Sequence, residues 1–339
     1  MATKIFLTGA TGYIGGETLY QLVEAHPEYE LTLLVRNEER GKPVAAAYPK
    51  ARLVYGSLDS ADVIEREAAA ADIVIHTADS SDDQPSARAI AKGLAAGHSA
   101  ERPGYWIHLC GTGILTWYDL AHSRFGEAPL AEQAYDDIGS ISEILSLPRD
   151  APHRDVDEIV LGASAAGYPA VRTLIFCPPT IYGRGRGPVN QRSVQVPRIV
   201  EYALQRGFAP VQGAGLSEWD NVHIRDVGAF FVRAVAAALD PATRDDPEVF
   251  GPRAYFFLEN GDRHKWSDVA RWVADEAARR GLLPEPAVKT VDDVPSLGTN
   301  SRGVASRARK YFGWEPRGPS LKDEIPDAVT VEAERLGKV

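Results

Sequence analysis

A short apolar run, Ile5 to Leu7, leads straight into Thr8-Gly9-Ala10-Thr11-Gly12-Tyr13-Ile14-Gly15, where a helical pattern opens. Few arrangements constrain a chain more. Glycines at these positions permit a tight turn, let backbone come close to an anion, and seat the following helix hard against the strand. The first turn of that helix presents N–H groups with no intrahelical acceptor, which suits a pyrophosphate. The motif therefore predicts a dinucleotide site. A plain glycine-rich turn is the alternative, and it has less in its favour because a second strand, Leu31 to Val35, follows at the right distance.

Hydrophobic periodicity extends the pattern. Ile5 to Leu7, Leu31 to Val35, Leu53 to Tyr55, Ile73 to His76, Trp106 to Leu109 and Val171 to Phe176 read as strands. Helical spacing separates them, as in Ile14, Leu19, Leu22 and Val23, or Val63 and Ile64 with the alanines up to Ala71. Alternation of this kind implies an α/β fold, a parallel sheet covered on both faces by helices. Between Cys110 and Pro152 the period is lost, just past a strand end where open α/β sheets bind ligands; a substrate loop and a simple surface insertion both fit. After Phe176 the Pro- and Gly-rich stretch through Gly187-Pro188 marks a boundary. Residues 1–175 then form a dinucleotide-binding unit, completed by parts of 215–258, and residues 176–339 mainly a smaller substrate lobe. Later elements include a helix over Val227 to Leu239, a strand near Tyr255 to Leu258, and a helix from Trp266 to Arg280 whose Trp266 and Trp272 suit core or interface packing better than a stacking site. A basic helix, Arg302 to Tyr311, either meets a phosphate through Arg302, Arg307, Arg309 and Lys310 or is a solvated face. An acidic helix follows Pro319.

Charge and cysteine usage narrow the partners. With 47 acidic and 37 basic side chains the 339-residue chain carries a net charge of −10, which disfavours nucleic acid and anionic membranes. Two cysteines, Cys110 and Cys177, allow no disulfide framework and no cysteine-based zinc site, and eight scattered histidines show no ligand spacing. Neither a signal peptide nor a membrane-spanning run is visible, and a reducing, cytoplasmic setting fits. Against the overall acidity, Arg36, Arg40 and Lys42 cluster at the end of the second strand. Arg36 stands 21 positions after Gly15, where an NAD site usually has a carboxylate for the ribose hydroxyls. A guanidinium there suits a 2′-phosphate, so NADP is favoured over NAD; an exposed strand-end charge is the other possibility.

Beyond the glycine motif, the sequence has Gly56-Ser57-Leu58-Asp59, Val74-Ile75-His76-Thr77-Ala78, Pro178-Pro179-Thr180-Ile181-Tyr182-Gly183 and Asn221-Val222-His223-Ile224-Arg225-Asp226-Val227. With these segments in this order it resembles the short-chain dehydrogenase/reductase superfamily, in its extended and atypical epimerase, dehydratase and reductase-like branch. Trp106-Ile107-His108 and Ser301-Arg302-Gly303 are similar to segments of uncharacterised fungal members. The resemblance implies a Rossmann-type doubly wound sheet. It implies Gly9, Thr11, Gly12, Tyr13, Ile14 and Gly15 at the pyrophosphate, Arg36 at the adenosine phosphate, Leu58 and Asp59 near adenine, Thr77 and Ala78 beside the ribose, and Pro178 and Thr180 along the cofactor. Ser57 departs from the acidic residue often found there. Thr112, in Cys110-Gly111-Thr112-Gly113, matches the residue that polarises a substrate oxygen. Cys110 reads as an inert thiol, since nothing adjacent would lower its pKa, and Tyr182 as packing.

The family's Tyr-x-x-x-Lys pair, in which Lys lowers the Tyr pKa for proton transfer, is absent. Alignment to Pro178-Pro179 puts Arg149 near the Tyr position and His153 near the Lys position. His153 either transfers a proton, hydrogen-bonds a ribose, or simply starts a helix at the surface. Tyr118 and Tyr135 offer hydroxyls from the loop. Two functions follow: an NADP-dependent oxidoreductase acting on a small carbonyl or related compound through Thr112 with His153 or Tyr135, or an NADP-binding, redox-sensing or non-redox isomerase or lyase on the same fold. The resemblance also implies a possible homodimer through Ser86–Ala96 and Arg154–Ala163.

Overall fold

Apolar runs without polar alternation need cover on both faces, and the fold provides it. The computed structural model describes residues 2–339. Strand and helix alternate through β1 (Lys4–Thr8), α1 (Tyr13–Ala25), β2 (Glu30–Val35), α2 (Glu38–Ala47), β3 (Arg52–Tyr55), α3 (Ala61–Ala70), β4 (Ile73–His76), α4 (Gln84–Gly97) and β5 (Gly104–Leu109). The aperiodic segment folds into α5 (Trp117–His122), β6 (Tyr135–Asp136) and α6 (Ile141–Ile144), and α7 (Arg154–Gly167) then leads to β7 (Val171–Cys177). Beyond it lie β8 (Thr180–Tyr182), α8 (Gln195–Arg206), β9 (Ala209–Gln212), β10 (Glu218–His223), α9 (Ile224–Leu239), β11 (Tyr255–Phe257) and β12 (Arg263–Lys265). The chain finishes with α10 (Trp266–Arg279), β13 (Val288–Val291), β14 (Gly303–Val304), α11 (Ser306–Phe312) and α12 (Leu321–Arg335).

Seven strands form one parallel sheet in the order β3-β2-β1-β4-β5-β7-β11. The order reverses between β1 and β4, the point at which open sheets of this kind form a ligand crevice beyond their C-terminal strand ends. Each run expected from periodicity is a strand of this sheet. Phe176 packs on Phe230 and Phe231 of α9, with ring centroids 5.0 and 4.6 Å apart, and α9 lies against α1 on that face. Its neighbour Ile175 points the other way, in register with His108 and so with His76. His76 meets Ser86 of α4, so α3, α4 and α7 cover the opposite face.

Two hydrophobic cores result. The larger lies on the sheet and includes residues as distant as Val222 to Leu258 and Ala305 to Trp314. The smaller joins α8, α10 and α12 around Trp266, Val200, Leu204 and Val329. Trp266 is buried at its centre and Trp272 packs on its edge.

The basic C-terminal segment departs from both readings. Its helix begins only at Ser306, because Tyr135 N–H donates to the Arg302 carbonyl (3.1 Å) and Gly303 N–H to Asp220 (2.6 Å), holding Gly303–Val304 as a strand beside β6. Arg307 is buried, donating to the Asp137 carbonyl (2.7 Å) and to Glu248 (2.6 Å), and Arg309 pairs with Glu259. Arg307 is thus an internal clamp, Arg309 is paired but partly exposed, and Lys310 faces solvent.

Candidate active site

The glycine motif makes the turn its sequence requires. Gly9 has φ +88°, and a Cβ on Gly15 would stand 2.5 Å from Thr77 Oγ1 and collide with the Gly9 carbonyl. Gly12 N–H donates back to that carbonyl (2.8 Å). As N-cap of α1, Gly12 leaves the helix start without a side-chain cap, so the Tyr13, Ile14 and Gly15 N–H groups remain as donors for an anion. Tyr13's hydroxyl points elsewhere, donating to the Gly183 carbonyl (2.6 Å); its contribution to the turn is its backbone. The Thr11 carbonyl accepts from Asn190 N–H (3.3 Å), which brings the 183–191 loop over the motif.

A buried brace fixes this turn to β4. Thr8 Oγ1 accepts from Thr77 and Ala78 N–H (3.2 and 3.3 Å), so its own proton goes to His76 Nδ1 at 2.8 Å. That leaves the His76 proton on Nε2, facing Ser86 Oγ at 3.3 Å. Burial holds His76 neutral, its pKa pushed down to about 4. Thr77 Oγ1 donates to the Thr8 carbonyl (2.6 Å), setting the loop after β4 against the glycine turn.

At the outer end of the crevice Arg36 follows β2, and Asn37 caps α2 by accepting from Arg40 N–H (3.0 Å). Arg36, Arg40 and Lys42 are exposed, and none has a carboxylate partner among the described residues. Glu38 and Glu39 occupy the first turn of α2 and moderate the local charge. Leu58 and exposed Asp59 lie in the turn after β3, shaped by Asp59 N–H donating to Ser57 Oγ (3.2 Å).

At the inner end Thr112 is only 2% exposed. Its N–H donates to the Pro178 carbonyl (3.1 Å). Ser301 Oγ lies 2.8 Å from both the Thr112 carbonyl and Thr112 Oγ1. A hydroxyl has one proton and a carbonyl only accepts, so Ser301 donates to the carbonyl and Thr112 donates to Ser301. His153, N-cap of α7, adopts the left-handed conformation at φ +69°. Its Nδ1 lies 2.7 Å from Asp82 Oδ1, and its Nε2 faces the Gly111–Gly113 turn. Thr112 thus lies in the turn that the His153 ring approaches. Tyr135 does not join them: buried in β6, its hydroxyl accepts the Trp117 indole N–H at 3.4 Å. Thr180 is buried in β8, and its hydroxyl has no partner among the described residues. Arg149 is exposed and pairs with Glu158 (3.1 Å). Burial raises the Cys110 thiol well above its usual range.

Ser301 and Asp82 were given no role by the sequence. Ser301 lies 189 positions from Thr112, and only the tertiary fold brings them together. The resemblance of Ser301-Arg302-Gly303 to a family segment was the one signal for Ser301, and Asp82 lies in the turn between β4 and α4.

Residues 9–101 match a family model described as NAD(P)H-binding. Among solved structures the fold is similar to a dTDP-glucose 4,6-dehydratase of Bacillus anthracis in complex with NAD, with TM-score 0.69 and 13% identity over 99% of this chain and 98% of that one. It is also similar to a UDP-glucose 4-epimerase of Thermotoga maritima with UDP-glucose, with TM-score 0.64 and 17% identity over 99% and 100%. In sequence the chain is 37% identical over 353 aligned positions to a protein named oxidase ucsJ of Acremonium sp., with 99% of both covered. The chain belongs to the extended short-chain dehydrogenase/reductase family. It carries an NAD(P)H-binding region, which includes the glycine turn, on a fold of the dehydratase and epimerase kind. Short-chain dehydrogenase/reductase architecture also accounts for the sheet order, with the glycine turn at its switch point. No helix among the described residues is long and apolar enough to cross a membrane.

Proposed function

We propose that the protein is an NADP-dependent oxidoreductase acting on a small carbonyl or related organic compound. The observation that carries this reading is the pairing of an uncapped helix start at Gly12 with an unpaired Arg36 at the end of β2. Together they offer donors to a pyrophosphate and a guanidinium to a 2′-phosphate. Bound there, a nicotinamide supplies a hydride donor or acceptor. The chain's own part is to orient the substrate oxygen and exchange one proton with it. Thr112 polarises that oxygen, after its proton turns from Ser301. His153 Nε2, on the other side of the Gly113 turn, takes or gives the proton in place of the Tyr-x-x-x-Lys pair that the sequence lacks. Tyr135 is the less suited donor, its hydroxyl lying behind Trp117. The relative named an oxidase supports redox chemistry over simple binding.

The burial of Thr112 and Ser301 favours a second reading, a protein that binds NADP without turning it over. Titration by nucleotide fluorescence tests the NADP preference that both readings share. Wild type should bind NADPH at least ~10-fold more tightly than NADH, and Arg36→Ala should erase most of that preference. NADPH consumption across a panel of small aldehydes, ketones and imines then decides. Tight binding with no consumption by any of them supports the binding-only reading.

A further inference from the structure

We propose that Asp82 is the positioning residue for His153, fixing its tautomer and aiming Nε2 at the Gly111–Gly113 turn; this rests on the reading of that crevice given above. The Asp82 carboxylate can only accept, so the 2.7 Å contact puts the imidazole proton on Nδ1 and leaves the Nε2 lone pair free. Nε2 has no protein partner among the described residues. It lies 2.5 Å from where a Cβ on Gly113 would be and 3.8 Å from one on Gly111. The turn thus needs glycine at 113 to admit the ring. The Asp82 carboxyl is held below its usual range, first of all by this hydrogen bond.

His153 and the turn that carries Asp82 both use unusual backbone. His153 has φ +69°, and as N-cap of α7 its side chain caps nothing, because the ring turns to Asp82 instead. Asp82 is carried by a turn in which Asp82 and Asp83 N–H donate to the Asp79 carbonyl (3.1 and 3.0 Å), with Asp79 itself at φ +46°. Non-glycine residues rarely adopt this conformation, and it clusters at functional sites. Stability does not explain the arrangement. With side chains 61% and 21% exposed, the pair is screened by water and contributes little to folding. Other charged groups nearby are engaged elsewhere: Asp155 with Gln84, Arg154 with the Leu145 carbonyl, and Asp157 with the Tyr255 hydroxyl.

The test needs no substrate. Imidazole nitrogen NMR, assigned by the loss of one signal in His153→Gln, reports the tautomer. Wild type and Asp82→Asn, which keeps an acceptor oxygen, should show the Nδ1–H form; Asp82→Ala should shift His153 toward the Nε2–H form. Diethyl pyrocarbonate labelling of His153, read by mass spectrometry, should slow at least ~5-fold in wild type at saturating NADP+ and less than ~2-fold in Asp82→Ala. An Asp82→Ala protein with wild-type tautomer and wild-type protection overturns the proposal. NADP+ affinity is measured separately by fluorescence. If NADP+ fails to bind while the tautomer still shifts in Asp82→Ala, the cofactor reading falls and the positioning role stands.

Discussion

Single residues decide the chemistry of the crevice, and Gly15 is the least replaceable of them. A Cβ there would meet backbone at Gly9, which cannot move without breaking the Gly12 N–H bond. Gly15→Ala should cost ~1–3 kcal/mol of stability, typical of overpacking, and should weaken NADPH binding more than ten-fold in a fluorescence titration. His76 makes a pH prediction. Its folded pKa, about 4, lies below the unfolded value near 6.5, so the unfolded chain takes up a proton first. Its contribution is complete above ~pH 6.5 and is lost as pH falls toward 4, by ~3 kcal/mol at full effect. Asp157 and Asp220, raised to about 6 by burial, act in the opposite sense. Comparison with a His76→Gln variant isolates the histidine term: urea unfolding from pH 7 to 4 should give a shallower acid-side loss in the variant. An unchanged slope would show that His76 is not buried neutral.

At the scale of elements, the aperiodic Cys110–Pro152 segment is ordered by one buried carboxylate. Asp119, in α5, accepts from Arg124 (3.2 Å), Gln133 (2.9 Å), Asn300 N–H (2.6 Å) and Asn300 Nδ2 (2.8 Å). It binds the loop after Thr112 to the chain just before Ser301. Asp119→Ala strands those donors and should cost ~3 kcal/mol, visible as a lower denaturation midpoint, and should loosen Thr112 through Ser301. None of this was legible locally. Strands such as Ile73–His76 could be read from their composition because a two-sided core demands continuous apolar runs. A loop held by a carboxylate leaves no period. The misread basic helix has the same origin: Arg302, Arg307 and Arg309 look solvent-directed until their partners Glu218, Glu248 and Glu259 arrive from distant segments.

Across the whole molecule, Glu17 joins α1 to the 183–191 loop. Buried in α1, it accepts from Arg186 N–H (2.9 Å) and from the Arg186 guanidinium (3.1 Å), fixing the loop that reaches over Thr11. Arg186 keeps about a third of its side chain in water, so Glu17→Ala should cost ~2 kcal/mol, less than a fully buried pair. NADPH affinity should fall by at least three-fold, while the far-ultraviolet dichroism stays that of the wild type. Strand positions, the glycine turn and the Arg36 cluster were written locally, because hydrophobic periodicity, backbone freedom at glycine and charge next to a motif act over a few residues. By themselves they determined a parallel α/β fold with a dinucleotide crevice. The pairing of Thr112 with Ser301, of His153 with Asp82 and of Glu17 with Arg186 was decided only by the tertiary structure. Each joins residues some 70 to 190 positions apart, and hydrogen bonds of a few ångströms leave no trace in sequence spacing.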